Sequence, residues 1–198
     1  MIHKPNFFVL TGGPGVGKTT LIQHLQALGE RVVDESARTV IRKQVEAGGT
    51  GVPWIDNDRF VDLTAARDIA AFDGLVGETG RVFFDRGIMD SYGANGAIPS
   101  PAILEAVRTR RYNARVFIFP PWREIYETDA ERRQDWAEAE QTFDLILKRL
   151  PTLGYDPVIV PKADVATRAA FILARAPQVS TNARSSTKSP GLASEPST

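Results

Sequence analysis

The sequence predicts an α/β fold with five parallel strands in one sheet and helices on both faces. Three observations lead there. Short apolar runs recur along the chain and end in glycine, proline or a carboxylate, as buried parallel strands do. Between them, apolar residues return every three or four positions, the period of helices that pack on a sheet. Finally, 198 residues with 42% hydrophobic and 24% charged suffice for one domain with a substantial core.

Taken in order, Phe7-Phe-Val-Leu10 is the first strand and runs into Thr11-Gly-Gly-Pro-Gly-Val-Gly17. Leu21, Ile22, Leu25 and Leu28 then mark a helix that Gly29 is placed to stop. Arg31-Val-Val-Asp34 is the second strand, and Ala37, Val40, Ile41 and Val45 form a helical stripe closed by Gly48-Gly49. A loop with Pro53 and Trp54 leads to a longer helix bearing Val61, Ala65, Ile69, Phe72 and Val76. Val82-Phe-Phe84 is the third strand, and Pro101 opens a short helix over Ala102 to Arg111. Val116-Phe-Ile-Phe119, cut off by Pro120-Pro121, is the fourth strand. Phe143, Ile146, Leu147 and Leu150 mark another amphipathic helix, Pro157-Val-Ile-Val160 the fifth strand, and Asp164 to Ala176 the last helix. Such alternation implies right-handed crossovers. The domain is expected to span residues 1–176. From 177 to 198 Ser, Thr, Pro, Ala and Asn dominate, a composition that cannot offset its ordering entropy and reads as a disordered tail.

Composition narrows the function classes. Lys plus Arg equals Asp plus Glu at 24 each, so no long-range field draws the chain to nucleic acid or an anionic membrane. There is no cysteine, which removes disulfides, thiolate nucleophiles and cysteine-bound zinc. Met1-Ile-His-Lys-Pro lacks the apolar core of a signal peptide, and no run approaches the roughly 18 apolar residues of a spanning helix. A cytoplasmic protein without a membrane span or a nucleic-acid partner is expected.

Gly12-Gly-Pro-Gly-Val-Gly17-Lys18-Thr19 fits G-x-x-x-x-G-K-[ST] at every fixed position, between a buried strand and an amphipathic helix. Glycines let the backbone wrap with its N–H groups inward, and the following helix adds its positive end. Gly13, Pro14, Gly15, Val16, Gly17, Lys18, Thr19 and Thr20 are therefore the expected nucleotide-binding residues. Lys18 should reach the β- and γ-phosphates, and the Thr19 hydroxyl should sit on magnesium. Thr20 reads either as an α-phosphate ligand or as an ordinary helix residue.

Asp85 closes the third strand, where a P-loop protein presents a carboxylate to magnesium, although a turn-capping aspartate has the same look. Hydrolytic motors usually follow that aspartate with a glutamate; here Arg86 follows, which favours handling an acceptor over activating water. Asp34 and Glu35 end the second strand, at the ligand-facing edge of the sheet. A carboxylate there could take the proton of an acceptor hydroxyl, and the other reading of Glu35 is a helix cap or surface ion pair with Arg38. Arg132, within Thr128-Asp-Ala-Glu-Arg-Arg133, reads as a lid arginine over the phosphates or as part of a solvated helix face. Val160-Pro-Lys162-Ala-Asp164 partly matches a guanine-reading motif, but Pro161 stands where asparagine is needed, and Asp164 fits better as a helix N-cap. Trp54, Trp122 and Trp136 either stack on an acceptor or pack in the core.

Together these segments resemble the small P-loop kinase-like domains of the NadR-like AAA family, similar to nicotinamide riboside kinase domains. The resemblance rests on Phe8-Val-Leu-Thr-Gly-Gly-Pro-Gly-x-Gly-Lys-Thr, Glu35-x-Ala-Arg38, Phe84-Asp-Arg-Gly-x-x-Asp90, Asp129-x-Glu-Arg132 and Leu153-Gly-Tyr-x-x-Val158, then Val160-Pro to Arg168. It implies a P-loop NTPase with the P-loop strand central, the Asp85 strand beside it, and a small helical lid bearing arginine. It also implies Glu35 near the acceptor hydroxyl and Arg86 helping to position it. Ser91-Tyr92-Gly93 and the stretch to Pro101 depart from the family pattern and suggest an altered acceptor-side loop. The function expected is transfer of the γ-phosphoryl of ATP, with Mg2+, to an unidentified small-molecule hydroxyl. The alternative is a regulatory module that binds ATP or GTP and hydrolyses it slowly.

Overall fold

The computed structural model describes residues 1–125 and 136–178. Arg132 with its proposed lid, and the tail from residue 179 onward, lie outside the described residues. The strands are β1 (Ile2–His3), β2 (Phe7–Gly12), β3 (Arg31–Val33), β4 (Val82–Asp85), β5 (Arg110–Arg111), β6 (Arg115–Phe119) and β7 (Asp156–Ile159). The α-helices are α1 (Lys18–Ala27), α2 (Ser36–Glu46), α3 (Asn57–Gly74), α4 (Pro101–Thr109), α5 (Trp136–Thr152) and α6 (Val165–Arg175).

Five of the strands form one sheet in the order β3-β4-β2-β6-β7, every pair parallel. The P-loop strand is thus central, and the strand ending in Asp85 lies beside it, as the family resemblance implies. Phe7 pairs with Val82 and Leu10 with Asp85, so β2 and β4 finish at the same edge. The short pair β1–β5 is separate and was not foreseen; two residues per strand are too few to show a period.

Side chains alternate across the sheet with period two. Phe7, Val9, Val82, Phe84, Val116 and Ile118 pack on one face with Phe72 of α3, Ala106 of α4 and Ile146 and Leu150 of α5. Phe8, Leu10, Phe83, Phe117 and Phe119 pack on the other with Leu21 and Leu25 of α1 and Ala169 and Ile172 of α6. Helices therefore cover both faces, and both faces are dry. A third apolar cluster joins Val40 of α2 to Phe60, Val61 and Ala65 of α3.

Capping follows the sequence where it can be read. Asp56 accepts from the Arg59 N–H at 3.0 Å to start α3, and Asp164 accepts from the Thr167 N–H at 2.8 Å to start α6. Ser100 caps α4 ahead of Pro101. The second strand is shorter than expected: β3 stops at Val33, opposite Phe84, which leaves Asp34 and Glu35 in the turn into α2. The Val45 end of the α2 stripe is exposed, so that helix buries only its first turns. Among the described residues no helix is long and apolar enough to cross a membrane.

Candidate functional site

Sharp turns at the carboxyl ends of β2 and β4 place the site. Gly12 has φ of 146°, and a Cβ there would lie 2.8 Å from the Phe119 carbonyl oxygen, so only glycine lets β2 turn so close to β6. Gly17 has φ of 75° and occupies the N-cap position of α1, where no side chain caps the helix. The first-turn N–H groups of α1 are therefore available to an anion. Val16 is buried in the apolar cluster beneath and anchors the loop from inside. Gly13, Pro14 and Gly15 complete the turn, and Thr19 and Thr20 are exposed on the first turn of α1. The Lys18 ammonium is buried, 3.4 Å from the Gly13 carbonyl. Burial and the nearby Arg86 hold its pKa below the usual lysine value, while Asp85, Glu35 and Asp90 pull it up.

Beside Lys18 lies a network of charges. Arg86 donates from Nε to Glu35 Oε1 at 2.9 Å and from Nη2 to the Gly12 carbonyl at 2.8 Å, and its Nη1 lies 3.8 Å from Asp90 Oδ1. Arg38 donates to the other oxygen of Glu35 at 3.1 Å. Both readings of Glu35 thus meet in one residue: it occupies the N-cap position of α2, pairs with Arg38, and lies at the ligand edge of the sheet. Burial pushes its carboxyl up, but Arg86, Lys18 and Arg38 outweigh burial and hold it at about 2. Asp90 accepts from the Thr11 hydroxyl and from the Gly87 N–H at 2.9 Å, which ties the turn after β4 to the P-loop strand. Arg86 itself has φ of 69°, a left-handed backbone rare outside glycine, and that turn aims its guanidinium back across the sheet edge.

Asp85 is buried, and its Oδ1 has no hydrogen-bond partner among the described residues. Burial raises its pKa, opposed by Lys18. An orphaned buried carboxylate oxygen at a P-loop fits a divalent cation, which takes oxygen ligands and keeps phosphates and water among them. Among the described residues no three acidic or histidine side chains form a metal cage, so a cation here would need phosphate oxygens as well as Thr19 and Asp85.

A cavity of about 530 Å³ lies between the P-loop, α2 and α3. Pro14, Lys18, Glu35 and Arg86 are among its lining residues, as are Trp54, Phe60 and Val61. Trp54 is 58% exposed, so the core-packing reading fails for it: it sits at the rim of the cavity. Trp122 instead lies under the Arg168 guanidinium, 5.5 Å from the ring centre. The structure brings Lys18, Glu35, Asp85 and Arg86 together; Arg132 lies outside the described residues.

Sequence reasoning missed Thr64 and Asp68 of α3, which line the cavity, and quoted Asp90 only as a motif position, without its place beside Arg86. Asp68 left a signal that could have been used, since Val61, Ala65, Asp68 and Phe72 share the buried face of one helix. A carboxylate on an apolar stripe asks for a ligand or a partner. Burial raises its pKa to about 7, against a hydrogen bond with Ser36 that lowers it.

A family model described as an AAA domain matches residues 7–168. No curated protein matches the chain. Among solved structures, NadR in complex with NR is similar with a TM-score of 0.60 and 19% identity over 84% of this chain and 49% of that one. Thymidylate kinase from Ehrlichia chaffeensis aligns with a TM-score of 0.54 at 16% identity, over 84% of this chain and 95% of that one. Deoxyadenosine kinase from M. mycoides aligns at 0.53 and 13%, covering 85% and 97%. At these identities the likeness is one of fold, and the fold is that of P-loop small-molecule kinases.

Proposed function

The chain belongs to the AAA domain family, which bears out the resemblance to its NadR-like kinases, and from that premise we propose that it is an ATP- and magnesium-dependent small-molecule kinase. The γ-phosphoryl would pass from ATP to a hydroxyl of an acceptor held in the cavity. One observation carries the reading: the P-loop lysine and the Glu35–Arg86 pair line one cavity. A hydrolase needs to admit only water, whereas about 530 Å³ with Trp54 and Phe60 in its lining accommodates a small organic acceptor.

In the transfer the bond between the γ-phosphorus and the β–γ bridging oxygen breaks, and the bond between the acceptor oxygen and that phosphorus forms. The acceptor proton leaves to Glu35, and ADP departs. Lys18 and the first-turn N–H groups of α1 hold the phosphates in line, a largely electrostatic and positional task. Arg86 holds Glu35 at the acceptor side and adds positive charge near the transferring group. Magnesium, held by Thr19 and Asp85, would supply charge neutralisation on the phosphates. With a carboxyl at about 2, Glu35 is ionised throughout the physiological range but is a weak base. That suits a loose transition state in which the proton moves late.

The same low basicity favours a second reading, a regulatory module that binds ATP or GTP and hydrolyses it slowly. One experiment separates the two. The purified chain is given labelled ATP and magnesium with pools of nucleosides, ribosides, amino alcohols and sugars. Transfer above the hydrolysis background, abolished in Lys18→Ala, is the expected result. Tight nucleotide binding without transfer to any pool would instead support the regulatory module.

A further inference from the structure

On α3, Thr64 and Asp68 stand four residues apart, hence on one face of the helix, and both line the cavity. Thr64 Oγ1 is buried and has no hydrogen-bond partner among the described residues. Asp68 is only 7% exposed and takes its side-chain hydrogen bond from Ser36 of α2. A buried hydroxyl and a buried carboxyl, one of them unsatisfied among the described residues, are costly unless a ligand completes them. Around them Trp54, Phe60, Val61 and Ile41 offer apolar surface. Arg86, across the cavity, is committed to Glu35 and the Gly12 carbonyl.

Resting on the kinase reading above, we propose that Asp68 and Thr64 form a specificity clamp for the acceptor, taking a second hydroxyl or amine that is not the group phosphorylated. The acceptor is then neutral or cationic, carries at least two hydrogen-bond donors, and lays its apolar body on Trp54 and Phe60. Asp68 accepts from the second donor, and Thr64 shares the same group. An acceptor bearing its own carboxylate or phosphate at that end is disfavoured, because it would meet the Asp68 carboxylate itself, with Asp90 and Glu35 adding negative and Arg86 positive charge nearby.

Binding to the clamp depends on pH. Asp68 faces Ser36 from α2, Glu35 from the turn before it, Arg86 and Asp90 from the turn after β4, and Tyr112 from beyond β5. The carboxyl titrates at about 7, and the carboxylate form is the one that accepts from the ligand. Acceptor KM therefore rises as pH falls below about 7, while Glu35 stays ionised.

The test uses the full chain with ATP and magnesium and five probes: uridine, 2′,3′-dideoxyuridine, nicotinamide riboside, glycerol and uridine 3′-monophosphate. Transfer is expected to uridine or nicotinamide riboside and to be weaker for glycerol, which has no apolar body, and for the dideoxy and monophosphate probes. On the best probe, Asp68→Asn should raise acceptor KM about 10- to 100-fold, the loss of a hydrogen bond to a charged group. KM for ATP should move less than twofold, and the acid rise in acceptor KM should vanish. Thr64→Val should give a smaller rise in acceptor KM and keeps the test valid if Asp68→Asn fails to fold. Unchanged acceptor KM in these variants, or a preference for the dideoxy or monophosphate probe, overturns the clamp and leaves the kinase reading standing. No transfer to any probe overturns both.

Discussion

Arg86 carries the tightest local constraint in the site, a left-handed backbone whose side chain is fixed at both ends by Glu35 and the Gly12 carbonyl. Glu35 is thereby placed by charge rather than by its own rotamer. Glu35→Gln should lower transfer by about 10²- to 10⁴-fold, the usual yield of a positioned proton acceptor, with ATP binding retained. The same variant has a signature in acid stability. Glu35 has a folded pKa of about 2, below the ordinary 4.5, so its contribution is full above 4.5 and is lost as pH falls toward 2. Melting curves of wild type and Glu35→Gln should therefore converge as pH falls from 4.5 to 2. At this scale the sequence marks the P-loop fully, because its glycines and lysine are spaced by backbone geometry alone. It does not mark the Thr11–Asp90–Arg86 chain, whose members meet only once β2 and β4 lie side by side.

Among the elements, α3 is the one that serves two masters. Its apolar face closes the core through Phe72, and the same face offers Asp68 to the cavity. A carboxyl raised from 3.8 to about 7 has a sign opposite to that of Glu35. Below 3.8 it costs nothing extra; between 3.8 and about 7 the unfolded chain gives up the proton more readily, so folding weakens as pH rises. Asp68→Asn should thus stabilise the protein at pH 8 by up to about 4 kcal/mol relative to its effect at pH 4. Chemical denaturation at the two pH values reads this directly. A variant that gains stability while losing acceptor affinity is the pattern of a functional group kept against the interests of the fold. The helix itself was legible from Val61, Ala65, Ile69 and Phe72, and the role of Asp68 was not, because a periodicity scan reads only apolar positions.

Over the whole molecule, the parallel sheet with helices on both faces followed from alternation of short apolar runs with helical stripes, while the central P-loop strand with the Asp85 strand beside it followed from the family resemblance. All five strands run parallel, and Lys18, Glu35, Asp85 and Arg86 gather where β2, β3 and β4 end side by side. Phe72 is central to one face, 5.3 Å from Phe7 and 5.0 Å from Tyr112 between ring centres, each edge-on. Phe72→Ala should cost about 3–5 kcal/mol, with a denaturant midpoint shifted at constant slope. What sequence patterning could not supply at this scale is the size and lining of the cavity. The cavity lies where α2 and α3 meet, and their shared cluster of Val40, Phe60, Val61 and Ala65 forms only once both helices exist.

Trp54 gives the molecule a built-in optical reporter. Its indole stands 58% in solvent at the rim of the cavity, while the chain has only 3 tryptophans in all. Seating an apolar acceptor body against it exchanges water for hydrocarbon around one chromophore, so emission should move to shorter wavelength as the cavity fills. With Trp122 and Trp136 replaced by phenylalanine, a titration in a cuvette would follow acceptor binding in real time, with no label and no turnover.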